Sequence, residues 1–403
     1  RESRPAPAHW PVEVLLFGGS DLESLRQSLS AARGDLLDGG QLSALASKRP
    51  ALNSVHRAGL VATSADEAVA RIDRIIAAIE NGKDRLRSPD GTILGVPVED
   101  PRVGFLCPGE GSQRPGMFQD LAACLPSVED WFVELDSTLL AADVQPMTSK
   151  MWSQPLAPTD PSELSGVFGG TQSLAVASVA SADTLARLGV APSAVLGQSS
   201  GEFAAGVISG AVSGMRTDEL MPAIARVTEV QVAAAQRFPL PPGATFAING
   251  RTVDDVRGVV EQTPTAVITN VNAPSVCVVW VADAHREEFL AAVRAPGTVI
   301  GELPFTLAYH TEAFTPRAEM MREAYQDIDV RRAQLPWYSC STTERVDADA
   351  DSIRDLLAEQ WWKPVDFAAT ITRMVEEQAL TCLVEVGPGT MLGACSTDVL
   401  RGT

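Results

Sequence analysis

Histidine is scarce in this chain: 403 residues contain four, His9, His56, His285 and His310. A side chain that changes charge near neutral pH therefore has few places to sit. Cysteine is also sparse, at Cys107, Cys124, Cys277, Cys340, Cys382 and Cys395. These form no C-x-x-C pair and have no histidine at ligand spacing, so no metal site is expected. Stretches such as Val276-Cys277-Val278-Val279 read as surroundings for buried, reduced thiols of a cytoplasmic protein. No apolar run approaches the roughly 18 residues of a membrane span. Basic residues are in deficit, 32 against 51 acidic, for a net charge of −19. Nucleic acid and anionic membranes are repelled by such a balance, so neither is expected as a partner. The densest basic cluster, Lys83, Arg85 and Arg87, reads as a solvated face. The chain starts at Arg1, and residues 2–8 lack the charged start and apolar stretch of a signal peptide. It reads as a piece of a longer polypeptide.

What is present is ordinary globular material, 45% hydrophobic and 21% charged, long enough for two or three units. A first zone, 1–100, carries two strand–helix pairs. Val12 to Phe17 reads as a strand, Ser20 and Asp21 as caps, and Leu22, Leu25 and Leu29 as one helix face. Ala58 to Thr63 reads as the next strand. Ser64 caps a helix with Ala68, Ile72, Ile75, Ile76 and Ile79 as its apolar positions. Ser88-Pro89-Asp90-Gly91 closes the zone.

A second zone, 101–229, opens on the buried strand 102–107 and the turn Pro108-Gly109-Glu110-Gly111-Ser112. It continues through helices to a short strand, 193–197, and a helix from Ser200 to Ile208. Residues 230–305 read as an inserted unit. There, strands at 245–248, 266–269, 276–281 and 298–301 alternate with helices at 253–262 and 284–292. That order is the ferredoxin-like pattern. Residues 306–403 return to helix and strand and end on Leu383-Val384-Glu385-Val386-Gly387.

Gly197-Gln198-Ser199-Ser200-Gly201 sits between a buried strand and a helix. A Gly-x-Ser-x-Gly run in that setting is a nucleophile elbow: the turn is too tight for flanking side chains and lifts the serine above the sheet edge. The amide of Ser200 then faces the site, aided by the helix N-terminus. Ser200 is a rival nucleophile without paired glycines. The serine needs a base near neutral pH. His9 lies in a Pro/Ala-rich leader, His56 in the first zone, and His285 beside Arg286-Glu287-Glu288 on an expected solvent face. His310, in a loop just beyond the insertion, is the best placed.

Several landmarks coincide in order: Pro108-Gly109-Glu110-Gly111-Ser112-Gln113, the serine elbow, the insertion, His310, and Val384-Glu385-Val386-Gly387-Pro388-Gly389. The set resembles the acyltransferase domain of type I polyketide synthases, enediyne or polyunsaturated types included, and the related malonyl-CoA:acyl carrier protein transacylases. The resemblance covers essentially the whole chain. It implies an α/β fold: an α/β-hydrolase-like large subdomain, an inserted ferredoxin-like small subdomain, and a preceding small α/β linker to a ketosynthase domain. It implies that Ser199 takes malonyl from malonyl-CoA, with His310 as base, and passes it to the phosphopantetheine of an acyl carrier protein, with no bound cofactor. It implies an oxyanion hole of the Ser200 and Glu110 amides, and a histidine held by carbonyls near the closing Gly-Pro-Gly turn. An arginine on the helix after the elbow grips the malonyl carboxylate in such domains. The usual spacing falls on Ile224, and Arg226 matches if two residues are inserted near Gly214 to Thr217. Asn272 matches a position near the site.

The chain departs from the pattern twice. Gln198 replaces the usual histidine, and Glu110 replaces the usual glutamine. A carboxylate there costs energy beside an oxyanion unless it pairs with an arginine or turns away. In the domains this chain resembles, extender choice tracks the four residues ending at the base, here Leu307-Ala308-Tyr309-His310; the resemblance implies that bulky Tyr309 takes the space of an α-methyl, so malonyl is expected over methylmalonyl. Two other readings remain at this stage: an editing thioester hydrolase using the same dyad, and a non-catalytic scaffold.

Overall fold

The computed structural model describes residues 11–51, 53–152, 164, 169–305 and 307–401. His9 and its leader lie outside them, as do residues 153–163 and 165–168 of the second zone. The chain divides into two compact units, Arg1–Asp100 and Pro101–Thr403.

In the first unit, β1 (Glu13–Gly19), β2 (His56–Ala62), β3 (Leu86–Arg87) and β4 (Ile93–Gly95) form a sheet in the order β1-β2-β4-β3. All its pairings are antiparallel. Helices Leu22–Leu37 and Ala65–Glu80 complete the unit. Asp21 caps the first through the Ser24 amide at 2.7 Å, and Ser64 caps the second through Glu67 at 3.2 Å. Leu15, Leu60, Leu25, Leu29, Ile72 and Ile75 make its core. His56 opens β2, half-buried.

The second unit holds two sheets. The larger runs β12-β11-β6-β5-β14, with β5 (Val103–Cys107), β6 (Ala194–Gly197), β11 (Trp337–Ser339), β12 (Glu344–Arg345) and β14 (Cys382–Glu385). Only the edge strand β12 is antiparallel to its neighbour. β6 is buried along its whole length, as expected of a parallel strand covered on both faces. Cys107 lies beside Gly197, and Glu385 beside Leu106. Three turns therefore leave the sheet at one edge, the carboxyl ends of β5, β6 and β14. Ligand crevices of parallel sheets lie at such edges.

The second sheet runs β10-β7-β9-β8-β13, with β7 (Gly243–Asn249), β8 (Val267–Ala273), β9 (Val276–Ala282), β10 (Val299–Glu302) and β13 (Val365–Asp366). Helices Val253–Gln262 and Arg286–Val293 connect its strands. A single 3₁₀ turn, Asp283–His285, precedes the latter helix, which the sequence began two residues earlier. His285 is half-buried, with Nδ1 3.2 Å from the Thr265 hydroxyl in an exposed contact. β13 comes from the far side of the chain and pairs in parallel with β8, tying the two sheets together.

Four cysteines are buried and free, whereas Cys382 is exposed and Cys124 half-buried. No helix among the described residues is long and apolar enough to cross a membrane.

Close packing at the elbow makes one stability prediction. A Cβ on Gly201 would strike the carbonyls of Cys107 and Pro108, and one on Gly197 the backbone of Glu202. Backbone cannot retreat as a side-chain tip can. Gly201→Ala is expected to lose at least about 1–3 kcal/mol in urea denaturation. Unchanged stability would contradict this packing.

Candidate active site

Ser199 follows β6 and precedes helix Gly201–Ile208. Its φ of +54° places a non-glycine residue in the left-handed region. Such strain costs on the order of 1–3 kcal/mol and persists where surrounding structure enforces it. Gly201 and Glu202 amides close the turn onto the Gln198 and Ser199 carbonyls, both at 2.9 Å. Beneath the turn, the buried Glu202 carboxylate accepts from Ser339 Oγ at 2.6 Å, Cys340 N at 2.8 Å and Trp337 Nε1 at 3.1 Å. Burial pushes this carboxyl up to about 8 against those donors, which favour the charged form. The network ties the elbow helix to β11.

Ser199 Oγ lies 2.7 Å from His310 Nε2. His310 is itself left-handed, with φ +57°, and buried. Its Nδ1 donates to the Lys363 carbonyl at 2.9 Å, and its backbone N–H to the Trp361 carbonyl at 2.9 Å. An Nδ1 facing a carbonyl must carry the proton, which leaves the Nε2 lone pair on the serine. The expected support near Gly387-Pro388-Gly389 is not what holds the ring. The ring is held instead by the Lys363 carbonyl, from the turn that follows helix Ala350–Glu359. The Gly-Pro-Gly turn packs on the opening turn: a Cβ on Gly387 would meet Pro108 at 2.8 Å. Burial drives the His310 pKa down to about 4, so the imidazole is neutral across neutral pH.

The remaining expected residues fall into two groups. Gln198 joins the turns: its Oε1 accepts from Gly109 N at 3.3 Å and its Nε2 donates to Asn272 Oδ1 at 3.0 Å. The Glu110 amide donates to Ser200 Oγ at 3.0 Å. The Glu110 side chain acts on the buried Tyr309 hydroxyl, which burial first and this carboxylate second hold well above the usual phenol range. Tyr309 packs on Phe314 and Trp361 at ring distances of 5.2 and 6.0 Å. Glu110, Gln198, Ser199, Asn272, Tyr309 and His310 all line one cleft of about 530 Å³ between the two sheets.

Arg226 stands apart. Its Nε donates to Asp327 at 2.8 Å and its Nη1 to Glu229 at 3.0 Å, on the outer side of helix Thr217–Arg237. Ile224, Val227 and Gln231 hold the inner side, against Ser200, Phe203 and Trp361. At about 100° per residue, a position two beyond Ile224 points nearly the opposite way. The expected carboxylate grip is thus corrected: the arginine is paired on the outer face. Arg226→Ala is expected to leave acylation rate and KM for an acyl-CoA within about 2-fold, as for an exposed ion pair. A rise of about 100-fold in KM would restore the grip.

A half-buried serine hydroxyl against a buried, neutral histidine on a strained turn, beside helix N-terminal amides, is a geometry able to carry acyl transfer. The family model for the acyl transferase domain matches residues 104–402. The chain belongs to the acyl transferase domain family. Polyketide synthase GfsB of Streptomyces halstedii is 28% identical over 405 residues, 98% of this chain but 7% of that protein. The malonyl CoA-acyl carrier protein transacylase of Bacillus subtilis is 26% identical over 306 residues, 74% of this chain and 91% of that one. The solved acyl transferase domain of SpnD, in complex with 2-(pent-4-yn-1-yl)malonyl, superposes with a TM-score of 0.77 at 23% identity, covering 98% of this chain and 90% of that one. The fold is accordingly the mixed α/β fold of polyketide synthase acyltransferase domains, and this acyltransferase spans a small fraction of the synthase it matches.

Sequence reasoning missed the support of the acyltransferase site. Lys363 and Trp361 act through backbone carbonyls, which leave no side-chain signature. With its amide oriented to satisfy both neighbours, Gln360 donates to the Ser199 carbonyl at 3.1 Å and accepts from Trp361 at 3.0 Å. Among the described residues no group of three or more His, Cys, Asp or Glu is arranged to hold a metal ion.

Proposed function

We propose that this acyltransferase moves an acyl group from an acyl-CoA thioester, through an ester on Ser199, to the phosphopantetheine thiol of an acyl carrier protein. The observation that carries the reading is the 2.7 Å contact between Ser199 Oγ and a neutral His310 Nε2. His310 takes the serine proton as Oγ attacks the thioester carbon. The C–S bond then breaks, and the proton goes to the departing CoA sulfur. In the second half the carrier thiol gives its proton to His310 and attacks the ester. The C–O bond breaks and Ser199 recovers its proton. The Ser200 amide stabilises the oxyanion. The Glu110 amide joins it by releasing the Ser200 hydroxyl.

The base fits this chemistry. A neutral carbonyl, not a carboxylate, backs the ring, so the imidazolium gains little stabilisation and the base is weak. Thioesters suit it because a thiolate leaves far more readily than an amine. Malonyl is the acyl group in the name of the Bacillus subtilis transacylase and the donor the sequence resemblance implies. With Arg226 turned outward, nothing from that residue disfavours hydrolysis. Transfer is favoured over hydrolysis by the burial of His310, with Ser199 half-buried beside it. We read β7 to β10 as a ferredoxin-like small subdomain, supported by their order β10-β7-β9-β8. The parallel sheet supports reading the rest as an α/β-hydrolase-like large subdomain. We read 1–100 as a linker to an adjacent ketosynthase domain, supported by the GfsB match over 98% of the chain.

The test is the fate of the acyl group in the presence of holo carrier protein. Acyl-carrier product in excess of free acid is expected. Free acid as the main product would give the hydrolase reading instead.

A further inference from the structure

Resting on the acyl-transfer reading, we infer that Arg114 binds the phosphate at the far end of the pantetheine arm, in acyl-CoA and in the carrier protein alike. Both substrates present the same arm: a thiol or thioester at one end, amides along it, and a phosphate at the other. The cleft that holds Ser199 and His310 offers matching groups. His310 is buried and Ser199 half-buried, where the sulfur end reacts. Asn249, Thr269, Asn270 and Asn272 of β7 and β8 give the walls uncharged hydrogen-bonding side chains. Arg114 is exposed, so it stands where the cleft opens to water. It is the only Lys or Arg among the described residues lining the cleft. Its guanidinium makes no hydrogen bond or ion pair with a described residue. Arg226, by contrast, is engaged by Asp327 and Glu229. Buried Arg317 is not among the lining residues, and its Nε donates to the Phe238 carbonyl.

The backbone that carries Arg114 is pinned on both sides of it. The Gly111 N–H donates to Gln113 Oε1 at 2.8 Å, and Gln113 Nε2 to the Leu164 carbonyl at 3.0 Å. Beyond it, the Met117 N–H donates to the Arg114 carbonyl at 3.2 Å, and the Gly116 N–H to the Met151 carbonyl at 2.6 Å. The turn that supplies the Glu110 amide to the site therefore also fixes Arg114 at its mouth. Exposure decides between the anions this arginine could meet. An acyl group bonded to Ser199 ends beside the buried base. The phosphate ends where the nucleotide, or the carrier's own surface, stays in water. A guanidinium forks onto phosphate oxygens through paired N–H donors. The net charge of −19 repels an anionic arm at long range, so a local cation at the entrance offsets that repulsion where the arm enters. Glu110 is the only Asp or Glu among the described lining residues, and its influence falls on the Tyr309 hydroxyl.

The experiment compares substrates that differ by that phosphate alone. The native chain and Arg114→Ala are loaded from malonyl-phosphopantetheine and from malonyl-pantetheine, and kcat/KM for ester formation on Ser199 is measured for each. The native preference for the phosphorylated donor is expected to fall about 10-fold in Arg114→Ala, through KM and not kcat. Arg114→Lys is expected to keep most of the preference, because a point charge still meets the phosphate. Each preference is a ratio within one variant, so partial misfolding cancels. A second arm compares holo carrier protein with pantetheine as acceptor. A fall in both arms is expected. A fall in one arm only overturns the shared site. A fall in neither overturns the inference and leaves acyl transfer standing. An equal loss with malonyl-pantetheine also overturns it, by moving the contact to the acyl group or the arm. No ester from either donor in the native chain overturns the acyl-transfer reading and the inference with it.

Discussion

Ser199→Ala is expected to lower acyl transfer by about 10⁴-fold or more and to leave the fold intact. The hydroxyl is the atom that bonds to the acyl group, so no neighbour substitutes for it by adjusting. Ser200 is the obvious rival, one residue on. It caps the turn instead: its Oγ accepts from Glu110 N at 3.0 Å, and its φ of −55° is helical. Only Ser199 has both the left-handed backbone and the 2.7 Å contact with the base. Steady-state transfer to carrier protein, with urea denaturation as the folding control, checks this. Residual activity within tenfold of native would move the nucleophile elsewhere.

The second large effect belongs to His310. His310→Ala is expected to slow acylation by about 10²–10⁴-fold, the usual contribution of a positioned base. Its pH dependence is more diagnostic. The folded pKa is lowered to about 4 because burial disfavours the imidazolium. The ring therefore stays able to accept the serine proton as pH falls through the ordinary histidine value near 6.5. Pre-steady-state acylation should be nearly flat from pH 8 to about 5 and fall only as pH approaches about 4. The same shift makes the fold lose stability as pH drops from about 6.5 toward about 4, because the unfolded chain binds a proton there and the folded chain does not. Half the acylation rate lost near pH 6.5 would mean a solvated histidine, contrary to the buried ring in the structure.

Much of this was readable from residues alone, for definite reasons. Gly197 and Gly201 advertised the elbow because no side chain fits at either place. His310 could be reached by elimination because only four histidines exist. The strand and helix succession of the inserted unit was readable as an order of short apolar strands and intervening helices, and the structure adds the Thr252 cap of helix Val253–Gln262. Arg226 failed for an equally physical reason. Helix Thr217–Arg237 presents a face fixed by long-range packing against Tyr325 and Trp361, and spacing from the elbow does not carry that phase. Glu110 was open between a pairing with an arginine and a turn away from the site. The structure puts its influence on the Tyr309 hydroxyl, a contact between distant segments. Gln198 looked the least ordinary residue of the motif. It proves to be the cross-brace between the opening turn and Asn272 on β8, work that an uncharged amide does with both its ends.

The central claim is that Ser199 becomes the acyl ester. The most direct measurement is proteolysis of the native chain after brief exposure to acyl-CoA, with the added mass located by fragmentation. The account predicts the acyl group on Ser199 and its loss from the same peptide when the acylated chain is treated with a phosphopantetheine thiol acceptor before proteolysis. An adduct on Ser200, or on the exposed Cys382, with Ser199 unmodified would contradict it.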